Sequence, residues 1–396
     1  MAYVPSDLRG TVAIVGAADV VSPNGVLKKT IPALHAAVTK EALDDAGLSP
    51  KDVDAVFVAG SSPMASLEIA EYLGMRPRYS DTTMTGGSSF EMHVEHAASA
   101  LAFGLCDVAL VTFAQTPRAP GAVGPGQRRR EWDPTWRSPL MEWELGYGMR
   151  LPVGGYALAA NRHQAVYGTS SEELAAIAVS TRAWAALNPR ARHRDPLTVA
   201  DVLASPYVCE PLHKLDCCLV TDGAGAIVLT RADRALDLRR PPAYVLGVGS
   251  AHTHAMISQM PDLTVTPGAV SGPKAFAMAG IGPADVDVLE AYDSFTITVL
   301  LALEDLGFCP KGEGGPFVRG DRLAPGGALP TNTNGGGLSY THPGMYGMFL
   351  LVEAVRQIRG EAGPRQVPGA EIAVAHGCGG VLSATSTVVL GTKATV

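Results

Sequence analysis

Apolar and polar positions along the chain alternate between helix-like and strand-like segments, and one succession of segments occurs twice. From Leu34 to Leu43 apolar residues recur at helical spacing. Gly47 then reads as a C-terminal cap and Pro50 as a stop, before the short apolar strand Ala55-Val56-Phe57-Val58. The pattern returns with the apolar run Ala275 to Met278, the cap Gly280, the stop Pro283 and the strand Val288-Leu289-Glu290-Ala291. The connecting segments align without a gap: 46–56 is AGLSPKDVDAV and 279–289 is AGIGPADVDVL.

A second pair lies further on. Residues 86–112 read as a Gly turn, an amphipathic helix, a Gly stop and a strand over Val108–Thr112; residues 344–360, GMYGMFLLVEAVRQIRG, lead through a polar linker to a strand over Ile372–Ala375. Two copied features in one order predict a duplication, with halves over 1–245 and 246–396. The alternation predicts an α/β fold whose parallel or mixed sheets are covered by helices. Between the copies, about 116–215, the chain is rich in Pro, Arg and Trp (Trp132, Trp136, Trp143, Trp184). It reads as an inserted loop region with a few helices, such as one over Glu172–Leu187, of the kind that shapes a substrate site.

Composition narrows the function. The 396 residues carry a net charge of −7, which excludes a basic nucleic-acid footprint. No apolar run reaches the ~18 residues of a membrane span, and the N-terminus lacks the layout of a secretory signal. Six Cys without a CxxC pair fit a reducing cytoplasm and neither a disulfide framework nor a zinc site. His93 and His96 share a helix face without a carboxylate cluster suited to a metal, and VAIVG at 12–16 lacks a dinucleotide fingerprint. Arg128-Arg129-Arg130 is the only basic run, either a solvated loop or a contact for phosphates.

Four motifs in order resemble the thiolase superfamily, especially its lipid-transfer-protein branch related to SCP2-type thiolases. They are Thr83-Met84-Thr85-Gly86-Gly87-Ser88-Ser89 at a helix start, Glu290-Ala291-Tyr292-Asp293-Ser294-Phe295, the segment Gly335 to Gly344 with His342-Pro343, and His376-Gly377-Cys378-Gly379-Gly380. Asp222-Gly223-Ala224-Gly225 resembles a further turn of the family. The resemblance implies a duplicated thiolase-like fold, two βαβαβαββ halves in a five-layer αβαβα arrangement. It also implies a substrate that is an acyl-CoA, with coenzyme A entering only as part of that substrate and no covalently bound cofactor.

The chain departs from the family at one position. Thiolases carry a nucleophilic Cys at the N-terminus of the first-half helix, where the helix dipole and backbone N–H groups lower its pKa. Anchored on Gly104-Leu105-Cys106-Asp107-Val108, this helix has Gly87 there, with Ser88 the nearest alternative. Ser88 and Ser89 also suit helix N-capping, and a Ser nucleophile needs an adjacent base.

What remains suits a thioester enolate. By resemblance, His342 and the backbone around Gly87 and Gly380 donate to the thioester oxygen, where charge develops. Tyr292 stands where the family often has Asn or His; Tyr340 and Tyr346 flank His342. This is similar to steroid side-chain aldolases of the same branch, which lack the nucleophile and use Tyr as acid and base, although they depart from the His-Pro segment kept here. The implied reaction is retro-aldol cleavage of a 3-hydroxyacyl-CoA. Tyr292 or Tyr340 takes the hydroxyl proton, which requires lowering a phenol pKa of about 10. Asp293 orients a partner, Cys378 returns a proton to carbon, and Tyr346 helps bind substrate. Met141, Trp143, Tyr147 and Tyr156 are candidates for an apolar acyl pocket.

Two other readings stay open: a thiolase or acyltransferase acting on a 3-ketoacyl-CoA, covalently through Ser88, and a non-catalytic thiolase-like partner subunit. The resemblance further implies a homodimer, joined by a small OB-fold protein with a zinc ribbon into a heterotetramer.

Overall fold

A computed structural model describes residues 8–60, 62–120, 142–150 and 152–396. The first half begins with strand β1 (Val12–Val20) and helix α1 (Ile31–Ala46). Thr30 caps α1 by accepting the Ala33 N–H, Pro32 lies in the first turn, and Leu34, Val38, Ala42 and Leu43 are buried. Gly47 ends the helix at φ 74°, in the left-handed region. A turn over Pro50–Asp52 follows, in which the Asp52 carboxylate accepts the Ser49 N–H at 2.8 Å. Then come β2 (Ala55–Val58), α2 (Ala65–Tyr72), β3 (Tyr79–Asp81), α3 (Ser89–Ala102) and β4 (Val108–Gln115). After helices α4 (Val153–Tyr167) and α5 (Ser171–Ala186), and the hairpin β5 (Tyr207–Cys209) and β6 (Leu212–His213), β7 (Gly223–Arg231) closes the half.

The second half repeats this. It runs β8 (Ala243–His252), α6 (Gly268–Ala279), β9 (Val288–Ala291), α7 (Thr296–Asp305), α8 (Gly347–Arg359), β10 (Ile372–Gly379) and β11 (Ala384–Gly391). Helix α6 ends on Gly280 at φ 68°, and Asp285 accepts the Gly282 N–H at 2.8 Å, as Asp52 does for Ser49. The packing is copied too. A Cβ on Gly16 of β1 would lie 2.1 Å from the Ala42 carbonyl oxygen; one on Gly247 of β8 would lie 2.1 Å from that of Ala275. Each half thus uses a strand glycine to bring its outer helix onto the sheet. The division expected at 245/246 falls inside β8.

Among the described residues nine strands form one sheet in the order β3-β2-β4-β7-β1-β8-β11-β10-β9, and β5 and β6 pair apart from it. Outward from the centre the halves mirror each other: β1-β7-β4-β2-β3 against β8-β11-β10-β9, with Thr331 bridging Leu289 where a fifth strand would lie. The strand pairs Ala13↔Tyr244 and Ile14↔Ala243 join the half-sheets. Helices α3 and α8 pack against strands of both halves and against each other; α1 covers β1 and β7, and α6 covers β8 and β11. The result is the expected five-layer αβαβα arrangement, with α3 and α8 as its middle layer.

The stretch 116–215 carries helices among its loops. Its described part carries α4 and α5, because α5 buries Leu174, Ile177 and Trp184 and is capped by Ser170 and Glu173. Trp132, Trp136, Met141 and Arg128–Arg130 lie outside the described residues.

Candidate active site

The motifs from the two halves meet where α3 starts. A turn over Gly86–Ser88 precedes the helix, and Gly87 sits against the end of β10 and the residue after β9. A Cβ on Gly87 would lie 2.2 Å from Tyr292 Cε2, 2.4 Å from Tyr292 Cζ and 2.5 Å from the Cys378 carbonyl oxygen. The Tyr292 ring therefore occupies the space that a side chain at position 87 would need.

The Tyr292 hydroxyl lies 3.1 Å from His342 Nε2 and accepts the Tyr346 N–H at 3.1 Å. With the imidazole proton on Nδ1, Nε2 presents its lone pair to the Tyr292 hydroxyl. Nε2 is then free to accept the phenolic proton. Burial holds the His342 pKa down at about 4, so the ring is neutral near neutral pH. The His342 N–H is tied to Thr221 Oγ1 at 2.8 Å, and the ring stacks at 14° on Tyr346. Tyr346 itself donates its hydroxyl to Asn334 Oδ1 at 2.8 Å. It contributes to the site through its backbone.

Burial pushes the Tyr292 phenol well above its ordinary value, with Cys218, Tyr156 and Cys378 adding to the effect. The base role read from the sequence requires a lowered phenol pKa, and burial moves it the other way. Desolvation and these neighbouring acidic groups disfavour a free phenolate. Cys378 is buried, and desolvation raises its thiol to about 12. It is a neutral S–H, the form that gives a proton.

Asp293 accepts the N–H groups of Gly337 at 2.7 Å and Leu338 at 3.1 Å. Its carboxyl anchors the glycine-rich loop that leads to His342, and burial lifts its pKa to about 7. Ser88 is fully buried, with its hydroxyl 3.1 Å from Thr85 Oγ1. Gly380, at φ 63°, lies under the Gly86 turn: a Cβ on Gly86 would stand 2.7 Å from its nitrogen. Trp143 and Tyr147 are exposed, whereas Tyr156 is buried with its hydroxyl 3.3 Å from the Gly380 carbonyl.

Tyr340 is not brought into this group. Its hydroxyl donates to Asp19 of β1. Burial alone would raise the Asp19 pKa, but Arg356 and Arg190 beside it hold the carboxylate far below its usual range. The base role expected for Tyr340 is thus corrected to a structural bond. Tyr340→Phe is expected to leave kcat within about twofold and to cost about 1–3 kcal/mol in urea unfolding, because a buried carboxylate loses a donor. A loss of activity without a loss of stability would return Tyr340 to the site.

Glu91, one turn beyond Gly87 on α3, carries no local signal of its place in the site. Its carboxyl is fully buried, and neither oxygen is hydrogen bonded to another residue. It fills the space over two glycines: a Cβ on Gly377 would lie 2.2 Å, and one on Gly347 2.4 Å, from Glu91 Oε2. Burial raises its pKa to about 8. A raised carboxyl favours the folded state while protonated in it, so this contribution is present below the ordinary value of 4.5 and lost as pH rises through about 8. Glu91→Gln is expected to remove that loss. In urea unfolding from pH 5 to 8.5, wild type should lose stability relative to the variant by about 1.4 kcal/mol per pH unit at most. Parallel curves would mean that Glu91 is ionised in the fold.

Residues 249–392 match a family model described as thiolase C-terminal domain-like. The chain is 35% identical over 326 residues to a steroid side-chain-cleaving aldolase of Thermomonospora curvata, covering 81% of this chain and 83% of that protein. It is 35% identical over 363 residues to the 17-hydroxy-3-oxo-4-pregnene-20-carboxyl-CoA lyase of Mycobacterium tuberculosis, covering 89% and 92%. Among solved structures, the Ltp2-ChsH2(DUF35) aldolase superposes with a TM-score of 0.88 at 30% identity, over 97% of this chain and 98% of that one.

Proposed function

The chain belongs to the thiolase superfamily, in its SCP2-type thiolase-like branch, as an enzyme acting on acyl-CoA, and from that premise we propose retro-aldol cleavage of the C2–C3 bond of a 3-hydroxyacyl-CoA. The observation that carries this reading is the Tyr292 ring standing in the space of the missing nucleophile, with its hydroxyl on His342. An enzyme so arranged has no acyl-accepting side chain at position 87 and has a proton relay instead.

In the proposed reaction the phenolic oxygen of Tyr292 accepts the proton of the substrate's C3 hydroxyl while its own proton passes to His342 Nε2. The relay avoids a free phenolate, in keeping with the raised phenol pKa. The C3–O electrons form the carbonyl as the C2–C3 bond breaks, leaving a thioester enolate. Backbone N–H groups of the Gly87 turn and Gly380 are the candidate donors to its oxygen. The Cys378 thiol gives its proton to C2, yielding the shortened acyl-CoA. Asp293 and the Tyr346 N–H position the relay. The names of the relatives, an aldolase and a carboxyl-CoA lyase, support this class of reaction.

Retro-aldol cleavage consumes no second thiol, whereas thiolysis requires free coenzyme A. A panel of 3-hydroxyacyl-CoA substrates, followed by mass spectrometry, is expected to yield a ketone or aldehyde plus acyl-CoA without added coenzyme A. Absolute dependence on coenzyme A, or an acyl adduct on Ser88, would overturn the reading in favour of acyl transfer.

The same proposal includes a homodimer associated with a small OB-fold protein bearing a zinc ribbon, as a heterotetramer. The likeness to an Ltp2-ChsH2(DUF35) aldolase supports a second kind of subunit. Six free cysteines support a reducing, cytoplasmic setting. Among the described residues no helix is long and apolar enough to cross a membrane.

A further inference from the structure

Asn334, a residue with no part in the reaction scheme above, ties together the two segments that support the relay. It is buried just before the glycine-rich turn over Gly336–Tyr340 that leads to His342. Its Oδ1 accepts the Gly336 N–H at 2.8 Å and the Tyr346 hydroxyl at 2.8 Å. Its Nδ2 donates to the Phe349 carbonyl at 3.3 Å. A main-chain donor on one side and a main-chain acceptor on the other fix which way the amide faces. Both acceptor positions of Oδ1 are then taken, and the Tyr346 hydroxyl must be the donor, since Oδ1 carries no proton.

Tyr346 reaches both members of the relay. Its N–H donates to the Tyr292 hydroxyl at 3.1 Å, and its ring lies at 14° to that of His342, with centroids 6.0 Å apart. It stands edge-on to the Tyr292 ring at 85° and parallel to Phe349 at 18°. Contacts between rings tolerate sliding, whereas a hydrogen bond at the ring's tip is directional. The main chain beside it has no slack: a Cβ on Gly347 would lie 2.3 Å from the Gly87 carbonyl oxygen. On the loop side, Asn334 holds the Gly336 N–H, and Asp293 holds those of Gly337 and Leu338. Asn334 is thus the link between the loop that carries His342 and the helix start that carries Tyr346.

We propose that Asn334 is a positioning residue for the Tyr292–His342 relay, setting the distance between the two by holding the Tyr346 hydroxyl and the Gly336 N–H on one oxygen. This rests on the retro-aldol reading in taking Tyr292 and His342 as the relay. In that step the phenolic proton passes from the Tyr292 oxygen to His342 Nε2 across 3.1 Å, while the substrate's hydroxyl proton takes its place on the phenol. Misplacement by about 1 Å can cost about a hundredfold in rate, so a bond that fixes the spacing acts on kcat and leaves KM nearly alone. Losing the Tyr346–Asn334 bond keeps every group of the relay and frees only their relative placement. Asn188, just after α5, supplies the comparison: its Nδ2 donates to the main-chain carbonyl of Asn334 at 2.8 Å, a bond to the same residue that leads away from the relay.

Tyr346→Phe keeps the ring and the N–H and removes only the hydroxyl. Assayed with any partner subunit that activity requires, it is expected to lower kcat for 3-hydroxyacyl-CoA cleavage by about tenfold or more, with KM within about threefold of wild type. Asn334→Ala also frees the Gly336 N–H and should lose more. Adding Tyr346→Phe to it should cost no more than about twofold further, because the bond is already gone. Asn188→Ala likewise removes one buried hydrogen bond from Asn334; its Tm should fall at least as far as that of Tyr346→Phe, yet its kcat should stay within about threefold of wild type. The relay can also be read without turnover, in protein labelled with 15N-histidine and with the His342 signal assigned through His342→Gln. The Nε2 resonance should show an accepted hydrogen bond in wild type and in Asn188→Ala, and should move toward the unbonded value in Tyr346→Phe and Asn334→Ala. Wild-type kcat in Tyr346→Phe overturns the proposal, and so does an unmoved His342 signal in that variant. An equal kcat loss in Asn188→Ala overturns it too, since lost stability alone would then explain the effect. If the signals follow the expected pattern in a wild-type enzyme that cleaves no 3-hydroxyacyl-CoA, the positioning role of Asn334 stands and the retro-aldol reading is removed.

Discussion

Tyr292→Phe is expected to lower kcat for C–C cleavage by about a thousandfold while leaving KM within a few fold, because general acid–base catalysis by one positioned group is worth about 10²–10⁴. The variant keeps the ring that fills the space beside Gly87 and removes only the oxygen between His342 Nε2 and the Tyr346 N–H. The loss should therefore be chemical and not structural, and thermal unfolding should shift by only a few degrees. Exchange of the C2 protons of a saturated acyl-CoA in D2O, the reverse of enolate protonation, should survive, since that half-reaction runs through Cys378. This separation is the informative part. If Tyr292→Phe retained cleavage, the relay would be wrong; if it lost cleavage and exchange together, Tyr292 would be acting by holding the site's shape. His342→Ala should resemble Tyr292→Phe in kcat, because a phenol whose pKa burial has raised cannot shed its proton without an acceptor.

The duplication was legible because its signals are local. A left-handed glycine at 47 and 280, a following Pro, and an Asp that accepts the N–H three residues before it are each written within about a turn of chain. Gly87 was legible by register against Gly104 to Val108 and lies at the helix start as expected. The failures involve long range or dielectric. Tyr340 looked equivalent to Tyr292 because both stand in motifs expected to converge on the site, but its partner Asp19 lies 321 residues away. The rise of the Tyr292 pKa was not legible, because a motif shows the polar neighbours and hides how completely the fold excludes water. By spacing alone, Glu91 is one more charge on a helix. Only the contacts with Gly347 and Gly377, from the other half of the molecule, make it part of the site's foundation.

Restoring the family's nucleophile by Gly87→Cys is expected to abolish cleavage, to yield no acyl-enzyme, and to destabilise the protein by about 1–3 kcal/mol, the usual cost of overpacking a filled site. The backbone at position 87 is not in the left-handed region, so the obstacle is space and not conformation. Two of the three atoms that a new Cβ would meet belong to the Tyr292 ring, and the third is the main-chain oxygen of Cys378, which has little freedom to retreat from β10. The test is a double-mutant cycle with Tyr292→Asn, which puts a side chain common in the family in place of the ring. In chemical denaturation the double variant should be more stable than the sum of the two single changes predicts, since removing the ring relieves the contact that the new side chain creates. Acylation of the thiol by an acyl-CoA, read as an intact-mass adduct, should appear in the double variant before it appears in Gly87→Cys alone. A Gly87→Cys protein with wild-type stability and a ready adduct would mean that the ring and the nucleophile can coexist. The exclusion of Cys by Tyr at this site, and with it the physical reason for assigning C–C cleavage over acyl transfer, would then fail.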